Sequence, residues 1–177
     1  METKIKLNFG AGDTKLDGFV NIDMNISVKP DLITDIRLHC LPFQDASCEV
    51  IHFLHCLEHI ELKFWPFVFD EFYRLLMPNG VLLLAFPNFE ICSTYFLENY
   101  RGMREFWRNT LYGRQLYAGD YHVTGMLTPE VINWLERFGF INIRYAPEPE
   151  EWNIFIKCQK GIRYTREDIL RKEIFEK

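Results

Sequence analysis

The chain has no cysteines paired as Cys-x-x-Cys, no excess of basic residues and no long apolar run. Its five cysteines stand at 40, 48, 56, 92 and 158, an odd number at unrelated spacings. This excludes a zinc ribbon and a disulfide framework and reads as buried or free thiols in a reducing compartment. The 20 Lys and Arg against 25 Asp and Glu give a net charge of -5. With no basic field to steer a polyanion, bulk nucleic acid is not an expected partner. The longest apolar run, Val81 to Phe86, falls far short of the roughly 20 residues a helical membrane span requires. The first residues, Met1 to Lys4, lead directly into a strand pattern, so the expectation is no membrane span and a cytoplasmic location. What is present is a hydrophobic content of 48% with 16% aromatics, which excludes disorder, over a length that suits one domain.

A further absence is more specific. Ile5, Leu7 and Phe9 alternate with Lys4, Lys6 and Asn8 as a short strand that runs onto Gly10 and Gly12, where a ligand can approach bare backbone. A dinucleotide fingerprint requires a third glycine and then a long helix whose N-terminus holds pyrophosphate. Thr14 stands in the third glycine position, and Asp13 to Gly18 is too short and turn-rich for that helix. Without the helix the anion cradle is lost, so a pyrophosphate cofactor is disfavoured. A nucleoside ligand without phosphates, such as S-adenosylmethionine, loses nothing.

Phe19 to Asp23 reads as a second strand ending on an acid, which at that position of an open α/β sheet can accept both ribose hydroxyl protons. Asp31 to Ile36 gives a third strand and Val50 to Leu54 a fourth, ending on the ionisable cluster His55, Glu58 and His59. Strands that repeatedly end on polar residues fit a parallel sheet with its crevice at the carboxyl edge. From Glu61 to Leu76 the pattern becomes helical, with Phe69, Phe72, Tyr73 and Leu76 in one stripe. Met77 to Gly80 reads as a turn, and Val81 to Phe86 as a central strand buried on both faces. Thr128-Pro129-Glu130 caps a helix with Val131, Leu135 and Phe138 on its apolar face. Ile141 to Tyr145 and Ile154 to Cys158 are expected as an antiparallel edge pair, and Thr165 to Glu176 as a C-terminal helix.

The ordered set Leu-Asn-Phe-Gly-Ala-Gly, Asn-Ile-Asp at 21–23, Leu-Pro-Phe-Gln-Asp at 41–45, Leu-Glu-His at 57–59 and Arg-Leu-Leu-Met-Pro-Asn-Gly at 74–80 resembles the class I S-adenosylmethionine-dependent methyltransferases. It is most similar to bacterial predicted methyltransferases with a shortened first helix, often associated with cell-surface polysaccharide synthesis. The resemblance is firm over residues 4–90. It departs from the family at Thr14, at Cys48-Glu49 and at Asn79. It implies an α/β fold: a Rossmann-like, mostly parallel sheet with an antiparallel edge strand, a truncated first helix and a helical lid inserted at about 89–121 of a single domain, 1–177. It also implies S-adenosylmethionine as cofactor, with Gly10 and Gly12 under the methionine moiety, Asp23 on the ribose hydroxyls, Met24 on adenine, and Asp35 on the adenine amino group beside the backbone of Ile36. His55 would then face the sulfonium.

On this reading the chain methylates a small or glycan acceptor, most simply at oxygen, with His55 or His122 as the base if one is needed. His55, Glu58 and His59 fall at i, i+3 and i+4, one helical face, and His122 could complete a divalent-metal site. A related pattern occurs in metal-dependent methyltransferases acting on RNA ends and on catechols. The expectation is nevertheless no obligatory metal, with Glu58 and His59 serving to start the helix. A non-catalytic nucleoside-binding module is the other class in contention. In the segment from Phe89 to Asp120, Phe96, Tyr100, Met103, Trp107 and Leu111 form one stripe, with Arg101, Arg104 and Arg108 on another face. Such arginines are either solvated or available to a phosphate-bearing acceptor.

Overall fold

The computed structural model describes residues 4–38, 40–117, 119–147 and 152–163. The helix expected over Thr165 to Glu176 lies outside them. In chain order the elements are strands β1 (Ile5–Phe9), β2 (Val20–Asp23), β3 (Leu32–Ile33) and β4 (Cys48–Leu54), helix α1 (Trp65–Leu75) and strand β5 (Leu76–Pro87). Helices α2 (Phe89–Leu97), α3 (Arg104–Tyr112) and α4 (Thr128–Arg137) follow, then strands β6 (Phe140–Pro147) and β7 (Asn153–Lys160). The seven strands form one sheet in the order β3-β2-β1-β4-β5-β7-β6. The first five are parallel, and β7 runs antiparallel to both its neighbours, so the edge pair is antiparallel as expected, the reversed strand lying one place in from the rim. The order reverses between β1 and β4, the place where an open sheet parts to admit a ligand.

The core lies on one face of this sheet. Phe72 of α1 meets Phe9 and Phe53 edge-on at 5.4 and 4.9 Å, and Trp134 of α4 packs on Trp65 and Phe69. Leu7, Ile51, Leu82 and Ile156 supply the sheet's share and are fully buried. The other face is different. The register places Asn8, His52, Leu83 and Lys157 side by side, and of these only Asn8 is buried. Val81 and Leu83 are half-buried, not buried on both faces as the apolar run suggests. The chain between β1 and β2 is a turn where a helix would cover this face, and Phe19 lies over His52, at 4.7 Å.

That short connection is held by two buried asparagines. Asn8 donates to Asn21 at 3.0 Å, and Asn21 accepts from the Leu16 amide and donates to Asp31. Asp31 also accepts the Asn21 amide on its carboxylate while its own amide donates to the Asn21 carbonyl, and β3 itself is two residues long rather than the six of the sequence pattern. The turn expected at Met77 to Gly80 sits inside β5: Leu76 faces Cys48 and Val81 faces Val50, with the residues between bulging out at Asn79, whose φ is 62°. α4 begins at Thr128 itself, with no side-chain cap. Among the described residues, no helix is long and apolar enough to cross a membrane.

Two of the sequence motifs meet in one ion pair. Glu71, only 3% exposed, accepts from the Leu41 amide and from Nε and Nη2 of Arg74, each at 2.7 Å. Arg74 also donates to the Phe43 carbonyl and to Asp45. The segment 41–45 is thus buttoned onto α1, and Glu71 raises the guanidinium pKa further. Arg74→Met strands a buried carboxylate; because the arginine is itself partly exposed, the expected loss is about 2–4 kcal/mol, overlapping the low end of the usual range for such a break. Urea denaturation of the two proteins measures it.

Candidate active site

A cleft of about 470 Å³ opens at the carboxyl ends of β1, β2 and β4. Gly10, Gly12, Asp23, Met24, Asp35, Ile36, His55 and His122, the site candidates from sequence, all line it. So do Arg37, Cys56, His59, Tyr117 and Tyr121. The lid arginines do not: Arg101, Arg104 and Arg108 are exposed outside the cleft, Arg101 over the Tyr100 ring and Arg108 over Phe96. The expected single stripe is broken as well, because Asn99, Arg101 and Gly102 take positive φ and split the segment into α2 and α3. Only Trp107 and Leu111 of that stripe are buried.

The glycine turn is built against a thiol. Gly10 has φ +59°, and a Cβ there would collide with Sγ of Cys56. That thiol donates to the carbonyls of Phe9 and Leu54, tying the ends of β1 and β4 together. Burial first, then the carboxylates of Glu58 and Asp23, push its pKa well above the ordinary value, so it remains a protonated donor. Asp23 at the end of β2 is held by two backbone amides, Gly12 at 2.9 Å and Asn25 at 2.8 Å. One amide falls on each carboxylate oxygen, leaving a lone pair on each for a ligand.

Asp35 carries a partner that the sequence did not suggest. Arg37 grips it with Nε and Nη2, at 3.0 and 2.7 Å, and reaches Glu61 with Nη1 at 3.2 Å. Chiefly through Asp35, this fork raises the arginine's pKa and spans two walls of the cleft. Arg37 passed unnoticed in the sequence; its signal was an arginine two residues beyond an acid at a strand end.

His55 takes a left-handed conformation, φ 52°, its amide donating to the Ala85 carbonyl and its side chain 45% exposed. Residues Leu57–His59 form a single 3₁₀ turn, not the start of a long helix. That turn drives Glu58 into the protein, 2% exposed, with Oε1 3.6 Å from His55 Nδ1. His59 and His122 meet edge-on at 4.8 Å. Nδ1 of His59 lies 2.9 Å from the Tyr121 carbonyl, and Nδ1 of His122 lies 2.9 Å from the Thr110 carbonyl. A carbonyl only accepts, so both Nδ1 atoms carry a proton and each neutral ring keeps its lone pair on Nε2. Burial lowers the His122 pKa, favouring that neutral form.

Residues 25–84 match the Methyltransferase domain family. No curated protein matches the sequence. Among solved structures, the chain is similar to an S-adenosylmethionine-dependent methyltransferase from Methanosarcina mazei, at 17% identity and TM-score 0.61, over 92% of this chain and 95% of that one. A methyltransferase from Archaeoglobus fulgidus is similar at 13% identity and TM-score 0.64, over 89% and 86%. The Burkholderia thailandensis 1,6-didemethyltoxoflavin-N1-methyltransferase, solved with its acceptor and S-adenosylhomocysteine bound, is similar at 11% identity and TM-score 0.55, over 89% and 71%. The fold is that of the class I methyltransferases. The domain match covers residues 25–84, and the fold that the chain shares with these S-adenosylmethionine-dependent methyltransferases extends over nearly its whole length.

The Gly10 contact gives a direct test. Gly10→Ala costs about 1–2 kcal/mol from its left-handed backbone alone, and the clash with Cys56 adds to that. In a Cys56→Ala background the clash is relieved and the backbone cost stays, so a double-mutant cycle by urea denaturation yields a non-zero coupling. Strictly additive losses would show that Cys56 does not set the turn.

Proposed function

We propose that the cleft binds S-adenosylmethionine across Gly10, Gly12, Asp23 and Met24 and transfers its methyl group to a hydroxyl of a small or carbohydrate-type acceptor. The observation that carries the reading is Asp23, fixed by the amides of Gly12 and Asn25 beside a glycine turn with no anion-binding helix. A carboxylate so oriented suits a ribose diol, and the missing helix disfavours a pyrophosphate. Asp35 and the Ile36 backbone stand at the adenine end, with Arg37 holding the carboxylate in place.

In the reaction an acceptor oxygen attacks the methyl carbon in line, the carbon–sulfur bond breaks, and neutral S-adenosylhomocysteine leaves. Sulfonium is already a good leaving group, so the chain's main contribution is positioning. The hydroxyl proton goes to a base, for which His55, at the end of β4, or His122 is placed. Tyr117 and Tyr121 offer aromatic surface to a sugar or planar ring. The small ring acceptor of the Burkholderia thailandensis protein supports an acceptor of that size. The segment from 89 to 121 would serve as the lid over it.

Calorimetric titration with S-adenosylmethionine and, separately, with a nicotinamide dinucleotide tests the cofactor. The former binds and the latter does not, and Asp23→Ala weakens the former by roughly 1.5–3 kcal/mol, the range for hydrogen bonds to a charged group. Unchanged affinity in the variant would sink the ribose assignment. Limited proteolysis tests the lid: cleavage between 89 and 121 slows when cofactor and acceptor are both present, whereas equal rates would make the segment a fixed part of the scaffold.

A further inference from the structure

Glu58 is the most exposed to question of the buried polar groups, because its environment supplies almost nothing to a carboxylate. Among the described residues Oε2 has no hydrogen-bond partner, and His55 Nδ1 stands 3.6 Å from Oε1, beyond a hydrogen bond. A carboxylate 98% removed from solvent in this state is costly unless something cationic meets it. Beside it stand two imidazoles whose Nδ1 protons are committed to the carbonyls of Tyr121 and Thr110. One ligand atom from each of Glu58, His59 and His122 lies within 4.8 Å of the others. A carboxylate and two imidazole nitrogens thus converge, each able to offer an electron pair.

We propose that Glu58, His59 and His122 bind a divalent transition-metal cation at the wall of the cleft. Two imidazole nitrogens and one carboxylate are the donor set of borderline ions such as Zn²⁺ and Co²⁺, whereas Mg²⁺ prefers oxygen ligands and retained water. The backbone carbonyls on Nδ1 perform the orienting role that second partners play for metal-bound histidines: they fix the tautomer and the ring plane. Three protein ligands leave a position open for water or another oxygen. This replaces the expectation, drawn from spacing, that Glu58 and His59 only begin a helix. The proposal does not depend on the methyltransferase reading, since it concerns the ion alone; with Nε2 of His122 on the ion, His55 is the base left to that reading.

The test uses the full chain, stripped with a chelator and titrated with Zn²⁺, Co²⁺ and Mg²⁺ alone, followed by calorimetry and, for Co²⁺, by visible absorption. Zn²⁺ and Co²⁺ are expected to bind one per chain and Mg²⁺ not at all. Glu58→Gln and His122→Asn are each expected to weaken Zn²⁺ by more than about 100-fold, exceeding the loss typical of an outer partner. If Glu58→Gln does not fold, His122→Asn decides. No Zn²⁺ binding, binding unaltered in the variants, or a cobalt–thiolate charge-transfer band showing capture by cysteine would overturn the proposal. An ion pair between Glu58 and a protonated imidazole would then account for the cluster.

Discussion

The hydrogen bond from Asn8 to Asn21 is what allows this sheet to do without its first helix. In an open α/β fold the connection from the first strand to the second covers one face and delivers the glycine turn to its ligand. Here the connection is a tight loop, and a loop of that kind has backbone groups to satisfy. Asn21 accepts from the Leu16 amide and Asn8 donates to the Thr14 carbonyl, so the two asparagines do locally what helical hydrogen bonds would do along an axis. The positions of Gly10, Gly12 and Asp23 all follow from that closure. So does the half-exposed face carrying His52 and Leu83.

Much of the fold was legible because its strongest signals are periodic. β1, β4 and α1 carry alternation or a helical stripe that only one packing satisfies, and the carboxyl-edge residues could be placed once the strands were. The details that escaped are those decided by side chains reaching across the chain. At the start of β3 the Asp31 carboxylate, which a strand pattern treats as solvated, takes the side-chain amide of Asn21. β5 keeps its register around Asn79 by bulging, so a turn signal was real but did not end the strand. The stripe through Phe96 and Trp107 failed because asparagine, arginine and glycine adopt left-handed geometry between them, and hydrophobic periodicity is blind to φ. Arg37 escaped for another reason: its pairing with both Asp35 and Glu61 joins segments far apart in sequence.

The cleft divides into two electrostatic halves. On the β2 and β3 side the carboxylates are already answered, Asp23 by amides and Asp35 by a guanidinium. This half is preorganised and can hold a polar ligand without rearranging. On the β4 side His59 and His122 line the cleft, with the buried carboxylate of Glu58 beside them.

His59 and His122 take hold of carbonyls, at residues 121 and 110, and of no side chain there. Main-chain carbonyls are the same whatever residue bears them. His59 ties the segment that carries Tyr121 to the end of β4, and His122 ties it to α3 at Thr110, and neither tie depends on the side chain at 121 or 110. In evolutionary terms the wall is a socket and the loop an exchangeable insert, open to substitution at 121 without rebuilding the floor beneath it.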